Sequence, residues 1–224
     1  MLRTRRAIQN RVLGIIDTGA PNHWVEANVL PIIASDGSIR RVLLTMVDVS
    51  ERHWLEARLE QLSVRDPLTG AFNRRRTLHL LDEECHRSLR YGTPTTIALI
   101  DIDRFREFNE TYGRATGDRL LTSVAHRIRE VLREIDIVGR YGGGEFMLIL
   151  PNVHLDDAMI PLERIRARIE AENFGSPGRN ITISGGITEC AGDTATALIE
   201  RAHALLIQAK EAGRNRLCQD VEIF

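Results

Sequence analysis

From about residue 74 onward, stretches with apolar residues three or four positions apart alternate with short runs that are apolar almost throughout. The first spacing is typical of amphipathic helices and the second of buried strands. The pattern predicts helices over residues 74–90, 105–112, 118–133, 156–172 and 194–211, and strands over residues 95–101, 135–141, 145–150 and 181–188. Only a glycine turn separates the second and third of these strands, so they should pair antiparallel. The expected fold is an α/β (α+β) sandwich in which helices flank a central mixed sheet.

The first fifty residues show a different pattern. Two extended apolar stretches, residues 24–34 and 39–49, flank Asp36 and Gly37, a dipeptide that strongly favours a β-hairpin turn. A short helix is expected before them, over residues 7–16.

A linker follows the hairpin. Residues 51–64 carry leucines at helical spacing with charges between them, which predicts one amphipathic helix. This helix either dimerises as a connector between two domains or lies on its own domain. We therefore expect three parts: residues 1–50, the helical linker 51–64, and a larger domain over residues 65–224.

Composition narrows the class of protein. The chain has 30 basic and 31 acidic residues, and its formal net charge of −1 argues against a broad affinity for nucleic acid or anionic membrane. No apolar run reaches the roughly 18 residues that a membrane-spanning helix needs. The cysteines, Cys85, Cys190 and Cys218, lack metal-ligand spacing, as is typical of a reduced, cytoplasmic protein. Lys210 is the only lysine of the chain, which indicates a specific need for an amine there.

Two acids stand at the end of the predicted strand 95–101. Asp101 and Asp103 are two residues apart, a spacing that places both carboxylates on one side at the edge of the sheet. Carboxylate oxygens are the ligands that hard divalent cations prefer. The alternative is that Asp103 only caps the following helix.

Two further groups could bind phosphate. Glycines 142–144 let a backbone approach an anion closely, although a glycine-rich hairpin turn without a ligand has the same sequence. Lys210 and Arg214 are four residues apart, so they should share one face at the end of the last helix. Cations at a helix C-terminus are also favoured by the helix dipole alone.

These groups occur in an order that resembles the GGDEF family. The stretches that carry the resemblance are Asp66-Pro67-Leu68-Thr69-Gly70, Asp101 to Asp118 with its Asp-x-Asp-x-Phe start, Arg140-Tyr141-Gly142-Gly143-Gly144-Glu145-Phe146, and Ala209-Lys210-x-x-Gly213-Arg214-Asn215. Four motifs in order, over roughly residues 63 to 218, make chance an unlikely source of the match. The segment before them resembles the C-terminal half of a PAS domain, which alone cannot enclose a cofactor.

The resemblance implies a nucleotide-cyclase-like fold and a reaction. Members of this family are diguanylate cyclases, which condense two GTP molecules into cyclic di-GMP on a homodimer that need not be permanent. By this resemblance the metal ligands for Mg²⁺ are Asp101, the Ile102 carbonyl and Asp103. The substrate-binding residues are Phe105, Asn109, Asp118, Gly142, Gly143, Lys210 and Arg214, of which Asn109 and Asp118 recognise guanine. Arg106 and Glu145 are the catalytic candidates.

A second site is implied upstream of the glycine hairpin. Arg133 and Asp136 form an RxxD motif where the family carries its inhibitory site for cyclic di-GMP, and Arg164 falls where a supporting arginine is expected. Arginine pairs well with the O6 and N7 atoms of guanine. The plain alternative is a surface ion pair between Arg133 and Asp136.

One departure from the family matters most. The motif that gives the family its name corresponds here to Gly142-Gly143-Gly144-Glu145-Phe146, and its third position, an acid in the family, is Gly144. Glu145 is its neighbour, but as the next residue on a strand it is expected to point to the other side of the hairpin. Two main hypotheses follow: a diguanylate cyclase with reduced turnover, or a receptor that binds GTP or cyclic di-GMP without turnover. A dimerising scaffold is a third, weaker alternative.

Overall fold

The computed structural model describes residues 7–15, 23–36, 38–52, 54–55, 64–172, 174 and 180–220. The chain divides into two compact units, Met1–Ser63 and Val64–Phe224.

The N-terminal unit contains a three-stranded antiparallel sheet. Its strands are β1 (Ile8–Ile15), β2 (His23–Ile33) and β3 (Ile39–Asp48), in the order β1-β2-β3. β2 and β3 form the expected hairpin. The helix expected over residues 7–16 is wrong, because those described residues pair with β2 as a strand and bring apolar side chains such as Leu13 and Val25 opposite each other. Residues 50–52 and 54–55 are helical. Of the rest of the linker helix expected over residues 51–64, residues 53 and 56–63 lie outside the described residues and Val64 is not helical.

A five-stranded sheet forms the centre of the C-terminal unit. It consists of β4 (Thr95–Ile102), β5 (Ile137–Gly142), β6 (Glu145–Pro151), β7 (Ile183–Glu189) and β8 (Leu217–Gln219), in the order β5-β6-β4-β7-β8. All neighbouring strands pair antiparallel except β7 and β8, which are parallel. The sheet is therefore mixed, as expected.

Helices cover both faces of this sheet. They are α1 (Arg74–Tyr91), α2 (Phe105–Tyr112), α3 (Arg114–Val131), α4 (Leu155–Ala171) and α5 (Ala195–Glu211). Side chains of β4 alternate between two cores: Ala98 and Ile100 join the core that contains α3 and α4, whereas Ile97 and Leu99 join the core that contains α1 and α5. This arrangement confirms the predicted fold class. In the part of the chain that the structure describes, no helix is long and apolar enough to cross a membrane.

A glycine sets how closely α5 approaches the sheet. A Cβ atom on Gly186 of β7 would lie 2.0 Å from the Ala202 carbonyl oxygen and 2.4 Å from the Leu206 nitrogen, both in the backbone of α5. Only a residue without a side chain permits this approach. The close packing brings the C-terminal end of α5 towards the end of β4, where the candidate site begins.

Candidate functional site

A cleft of about 860 Å³ opens where β4 ends and the hairpin between β5 and β6 turns. Asp101, Phe105 and Asn109 line one side, and residues 142–145 of the hairpin line the other. The structure thus brings together residues from the stretch Asp101 to Asp118 and from the stretch Arg140 to Phe146.

Arg140 anchors the glycine hairpin. Its Nη2 donates to the Gly143 carbonyl oxygen at 3.1 Å, and its Nη1 lies 3.2 Å from Asp66 Oδ2. Asp66 in turn accepts hydrogen bonds from the backbone N–H and the hydroxyl of Thr69. No local sequence pattern predicts that Arg140 ties the hairpin to the segment at the start of this unit.

Gly144 lies directly beside Asp101. It is buried, and a Cβ atom on it would lie 3.2 Å from Asp101 Oδ1 and 3.1 Å from Phe105 Cδ1. Its φ is outside the left-handed region, so the backbone itself would accept a side chain. A side chain at this position would lie between Asp101 and Phe105, and glycine leaves no carboxylate there.

Asp101 forms an ion pair with the only lysine. Lys210 Nζ lies 2.7 Å from Asp101 Oδ2. Glu145 is directly opposite Asp101 in the β4–β6 register and lines the same cleft. Its expected orientation away from a side chain at position 144 stays a prediction. Burial raises the pKa of the Glu145 carboxyl, and the nearby Asp101 charge adds to the rise while Lys210 opposes it. Two acids thus line one end of the cleft, and the Lys210 amine, which does not itself line it, is paired with one of them.

The two candidate guanine residues come from neighbouring helices. Asn109 of α2 fits against Gly117 of α3 so closely that a Cβ atom on Gly117 would lie 1.7 Å from Asn109 Oδ1. Asp118, the next residue, is exposed and lies inside α3, which begins at Arg114, so Asp118 is not a helix N-cap. The close approach places the amide of Asn109 beside the helix turn that carries Asp118.

Arg106 lines the outer part of the cleft. Its Nε donates to Glu110 Oε1 at 3.0 Å, and its side chain is 92% exposed. This guanidinium is free to move towards a ligand, because an ion pair at such exposure contributes little to stability.

Asp103 and Arg214 do not line the main cleft. They line a neighbouring cavity of about 290 Å³, which borders the cleft at Arg104. Arg214 was expected on the same helical face as Lys210, but α5 ends at Glu211 and Arg214 lies beyond it with a φ of 64°. The role of Asp103 as a metal ligand stays a prediction.

Arg133, Asp136 and Arg164, which are expected at the inhibitory site and are called the clamp residues below, line a separate cavity of about 350 Å³. Arg133 and Asp136 come from the turn before β5, and Arg164 comes from α4, where its Nη2 donates to the Val131 carbonyl oxygen at 3.2 Å. Asp136 Oδ2 accepts from the Arg133 backbone N–H at 2.8 Å. The described contact between Arg133 and Asp136 is therefore a hydrogen bond from the backbone of Arg133 to the side chain of Asp136. Burial raises the pKa of the Asp136 carboxyl.

The model of the family described as "Diguanylate cyclase, GGDEF domain" matches residues 63–216. The chain belongs to the GGDEF family. Its fold and the position of the glycine hairpin agree with that membership.

Several known GGDEF proteins are similar to it. Response regulator PleD of Caulobacter vibrioides is 42% identical over 161 residues, which cover 69% of this chain and 36% of that protein. Diguanylate cyclase DgcP of Pseudomonas aeruginosa is 41% identical over 160 residues, which cover 70% of this chain and 24% of that protein. The match thus spans about a quarter to a third of the length of these relatives. Among solved structures, the GGDEF domain of DgcB from Caulobacter crescentus in complex with c-di-GMP is 34% identical and covers 70% of this chain and 92% of its own, with a TM-score of 0.66.

Proposed function

We propose that this chain condenses two GTP molecules into cyclic di-GMP with Mg²⁺, and that Gly144 makes the reaction slow. The observation that carries the proposal is the cleft in which Asp101, Asn109 and the glycine hairpin face one another, with Lys210 paired to Asp101. These groups suit the base, the phosphates and the cation of a nucleoside triphosphate.

The oxygen atoms at the end of β4 fit a magnesium ion. Mg²⁺ is commonly bound by one or two carboxylates together with substrate phosphates, rather than by a cage of protein ligands. Asp101 and the Ile102 carbonyl would hold it, and Glu145 lies at the same end of the cleft. Among the described residues, no three acidic, histidine or cysteine side chains form a preformed metal site. The metal would neutralise the triphosphate and orient the attacking 3′-hydroxyl.

The remaining residues bind and orient the nucleotide. Asn109 and Asp118 offer an amide and a carboxylate, which match the O6 acceptor and the N1–H and N2–H donors of guanine. Lys210 supplies positive charge to the terminal phosphates, and Arg214 joins it from the neighbouring cavity. Phe105 and Arg106 line the cleft where the phosphates would lie, between α2 and glycines 142–143.

Gly144 removes charge where the reaction needs it. An acid at this position would lie beside Asp101, so its absence leaves a cation with fewer protein ligands. Weaker metal binding also means weaker stabilisation of charge in the transition state. For this reason we expect the nucleotide to bind and turnover to be reduced.

The test compares three proteins with GTP and Mg²⁺: the unchanged chain, Gly144→Asp and Gly144→Asn. The Asn variant is the matched control, because it fills the same space without the charge. We expect slow formation of cyclic di-GMP by the unchanged chain, an increase of about tenfold or more in Gly144→Asp and none in Gly144→Asn. No product from either the unchanged chain or Gly144→Asp, at high protein concentration and long incubation, would refute the cyclase proposal.

The reaction joins two GTP molecules and therefore needs two sites face to face. We infer a homodimer, permanent or transient, with one GTP on each protomer. The specific activity should then rise with protein concentration before it reaches a plateau. An activity per molecule that is constant down to nanomolar protein would argue for a permanent dimer or against the two-site mechanism, and light scattering at the same concentrations separates these cases.

A receptor for cyclic di-GMP is the second candidate, and the separate clamp cavity favours it. Arg133, Asp136 and Arg164 line this cavity away from the catalytic cleft, and the related DgcB structure is a complex with c-di-GMP. If no product forms but cyclic di-GMP binds with an affinity that depends on these arginines, the receptor function is supported. The N-terminal sheet would then carry the signal as a PAS-like segment, and we expect the protein to act in the cytoplasm, where GTP is made.

A further inference from the structure

Both oxygens of the Asp103 carboxylate accept hydrogen bonds from protein donors. Its Oδ1 accepts from the Ser184 hydroxyl at 2.7 Å, and its Oδ2 accepts from the Thr182 hydroxyl at 2.7 Å and from the Asn215 backbone N–H at 3.1 Å. The backbone N–H of Asp103 also donates to the Thr182 carbonyl oxygen at 2.9 Å. With only 9% of the residue exposed, these neutral donors replace water around the buried charge.

This arrangement leaves Asp103 poorly suited to share a cation with Asp101. A metal ligand must direct a free lone pair at the ion, whereas three of the roughly four lone pairs of the Asp103 carboxylate accept hydrogen bonds from β7, from Thr182 and from the turn after α5. The cavity that Asp103 lines also contains Arg214, whose cationic guanidinium disfavours a nearby dication. The carboxylate therefore faces the turn that carries Arg214 and not the cleft.

That turn has an unusual backbone. Gly213, Arg214 and Asn215 have φ values of 114°, 64° and 49°, so three consecutive residues lie in the region that L-amino acids disfavour. Such a conformation persists only where contacts on several sides enforce it. The Arg214 N–H donates to the Ala209 carbonyl oxygen at 3.0 Å, which holds only the side of the turn next to α5.

Asn215 holds the other side of the turn. Its backbone N–H donates to Asp103, its Nδ2 donates to Glu170 Oε1 at 2.7 Å, and its Oδ1 accepts from Arg166 Nη1 at 2.7 Å. The last two partners lie on α4, whereas Asp103 directly follows β4, the strand that carries Asp101. The Asp103–Asn215 contact is thus the direct link from the end of β4 to the turn that presents Arg214.

We propose that Asp103 is a positioning residue, which fixes the left-handed turn so that the Arg214 guanidinium meets the terminal phosphates of the nucleotide. This inference rests on the proposed function, because it takes a nucleoside triphosphate as the ligand of Arg214. It assigns Asp103 a role different from that of Asp101, although the two acids are only two residues apart.

The first measurement separates phosphate contacts from other contacts. GTP and GMP affinities are measured for the unchanged chain, Asp103→Asn, Arg214→Ala and the double variant. Asp103→Asn keeps the shape but replaces one acceptor oxygen by a donor, so we expect GTP affinity to fall about tenfold while GMP affinity stays within twofold. The double variant should be no weaker than Arg214→Ala alone, because both changes remove the same contact. An equal loss for GMP, or additive losses in the double variant, would overturn the proposal.

A magnesium titration separates positioning from metal binding. The Mg²⁺ concentration for half-maximal GTP binding should shift in Asp101→Asn and stay unchanged in Asp103→Asn. An equal shift in both variants would show that Asp103 is a metal ligand after all. Ser184→Ala removes only one donor to Asp103 and should therefore give a smaller loss of GTP affinity than Asp103→Asn. It replaces Asp103→Asn in these measurements if that variant folds poorly.

A third measurement does not depend on nucleotide binding. If the unchanged chain bound no GTP, the proposed function would fail, and the positioning role would be decided by amide exchange. The Asn215 N–H should exchange at least tenfold faster in Asp103→Asn, while the amides in the middle of α4 keep their protection. Unchanged protection of Asn215 would refute the role of Asp103 in holding the turn.

Discussion

Lys210 Nζ lies 2.7 Å from Asp101 Oδ2, a contact that joins the last turn of α5 to the end of β4. Both groups are partly buried, with 31% of the lysine side chain and 19% of the aspartate side chain exposed. Glu145 faces the same place from β6. A single amine therefore balances two carboxylates at the end of the cleft, and its position makes it available to the phosphates of a ligand.

Replacing this amine should weaken nucleotide binding. Lys210→Gln removes the charge while keeping a similar length, so we expect GTP affinity to fall about tenfold or more, because hydrogen bonds to charged groups contribute about 1.5–3 kcal/mol. Lys210→Arg is the control, since it keeps the charge but spreads it over a wider planar group, and should recover part of the loss. Calorimetric titration with GTP measures both. Equal affinities for Lys210→Gln and the unchanged chain would mean that Lys210 serves only as a counter-ion.

The clamp residues should control cyclic di-GMP without affecting GTP. Arg133→Ala and Arg164→Ala each remove a guanidinium from the cavity of about 350 Å³, so each should lower cyclic di-GMP affinity about tenfold or more. Arg168→Ala is the matched control, because Arg168 is an exposed arginine one turn further along α4 that does not line this cavity. Binding is measured by titration calorimetry. If all three variants bind alike, the cavity is not the product site.

Asp136 should make stability depend on pH in the acidic range. Burial raises its pKa in the folded state, and among the described residues no group donates to its Oδ1. When the pKa of an acid is higher in the folded state than in the unfolded state, the folded protein loses stability as the pH rises from the unfolded-state pKa through the folded-state pKa. The free energy of unfolding of Asp136→Asn should therefore increase relative to that of the unchanged chain as the pH rises above about 3.9, the usual pKa of an aspartate. Urea unfolding at several pH values tests this, and a difference that is constant with pH would contradict it.

The helices and most of the strands of the C-terminal unit could be predicted because each carries a local apolar period. The pairing of strands that are distant in the chain leaves no local pattern, so the sequence did not predict it. The sequence does not show that Glu145 lies opposite Asp101, because this contact depends on the register between β4 and β6. The three residues of β8 carry no period of their own and become a strand only beside β7. Residues 8–15 fit a helical spacing as well as an extended one, and only their pairing with β2 makes them a strand.

The contacts within the candidate site also depend on tertiary packing that the sequence does not show. The only lysine was noticed from composition, but its contact with Asp101 follows from the strand order β6-β4-β7 and from the close approach of α5 to β7. Asp103 shares a spacing with Asp101 that suits a metal pair, yet donors from β7 and from the turn after α5 surround it. Residue types indicated which chemistry was present, and tertiary packing decided which residues share a cleft.

Gly186 should be essential for the position of α5. Gly186→Ala places a Cβ atom 2.0 Å from the Ala202 carbonyl oxygen, so the helix backbone must shift, at a cost of about 1–3 kcal/mol. Because α1–α5 all lie in the C-terminal unit, the helical circular dichroism signal during urea unfolding reports on this unit. Gly142→Ala is the control, since its Cβ would have no atom within 4 Å, and it should change stability by less than about 1 kcal/mol.

The same shift should also move Lys210 away from Asp101. We therefore expect Gly186→Ala to weaken GTP binding under conditions in which the protein remains folded, whereas Gly186→Ala combined with Lys210→Gln should bind no more weakly than Lys210→Gln alone. A destabilised Gly186→Ala variant that binds GTP as tightly as the unchanged chain would show that the spacing of α5 serves stability only. Losses that add in the double variant would show that Gly186 supports the cleft by a route that does not pass through Lys210.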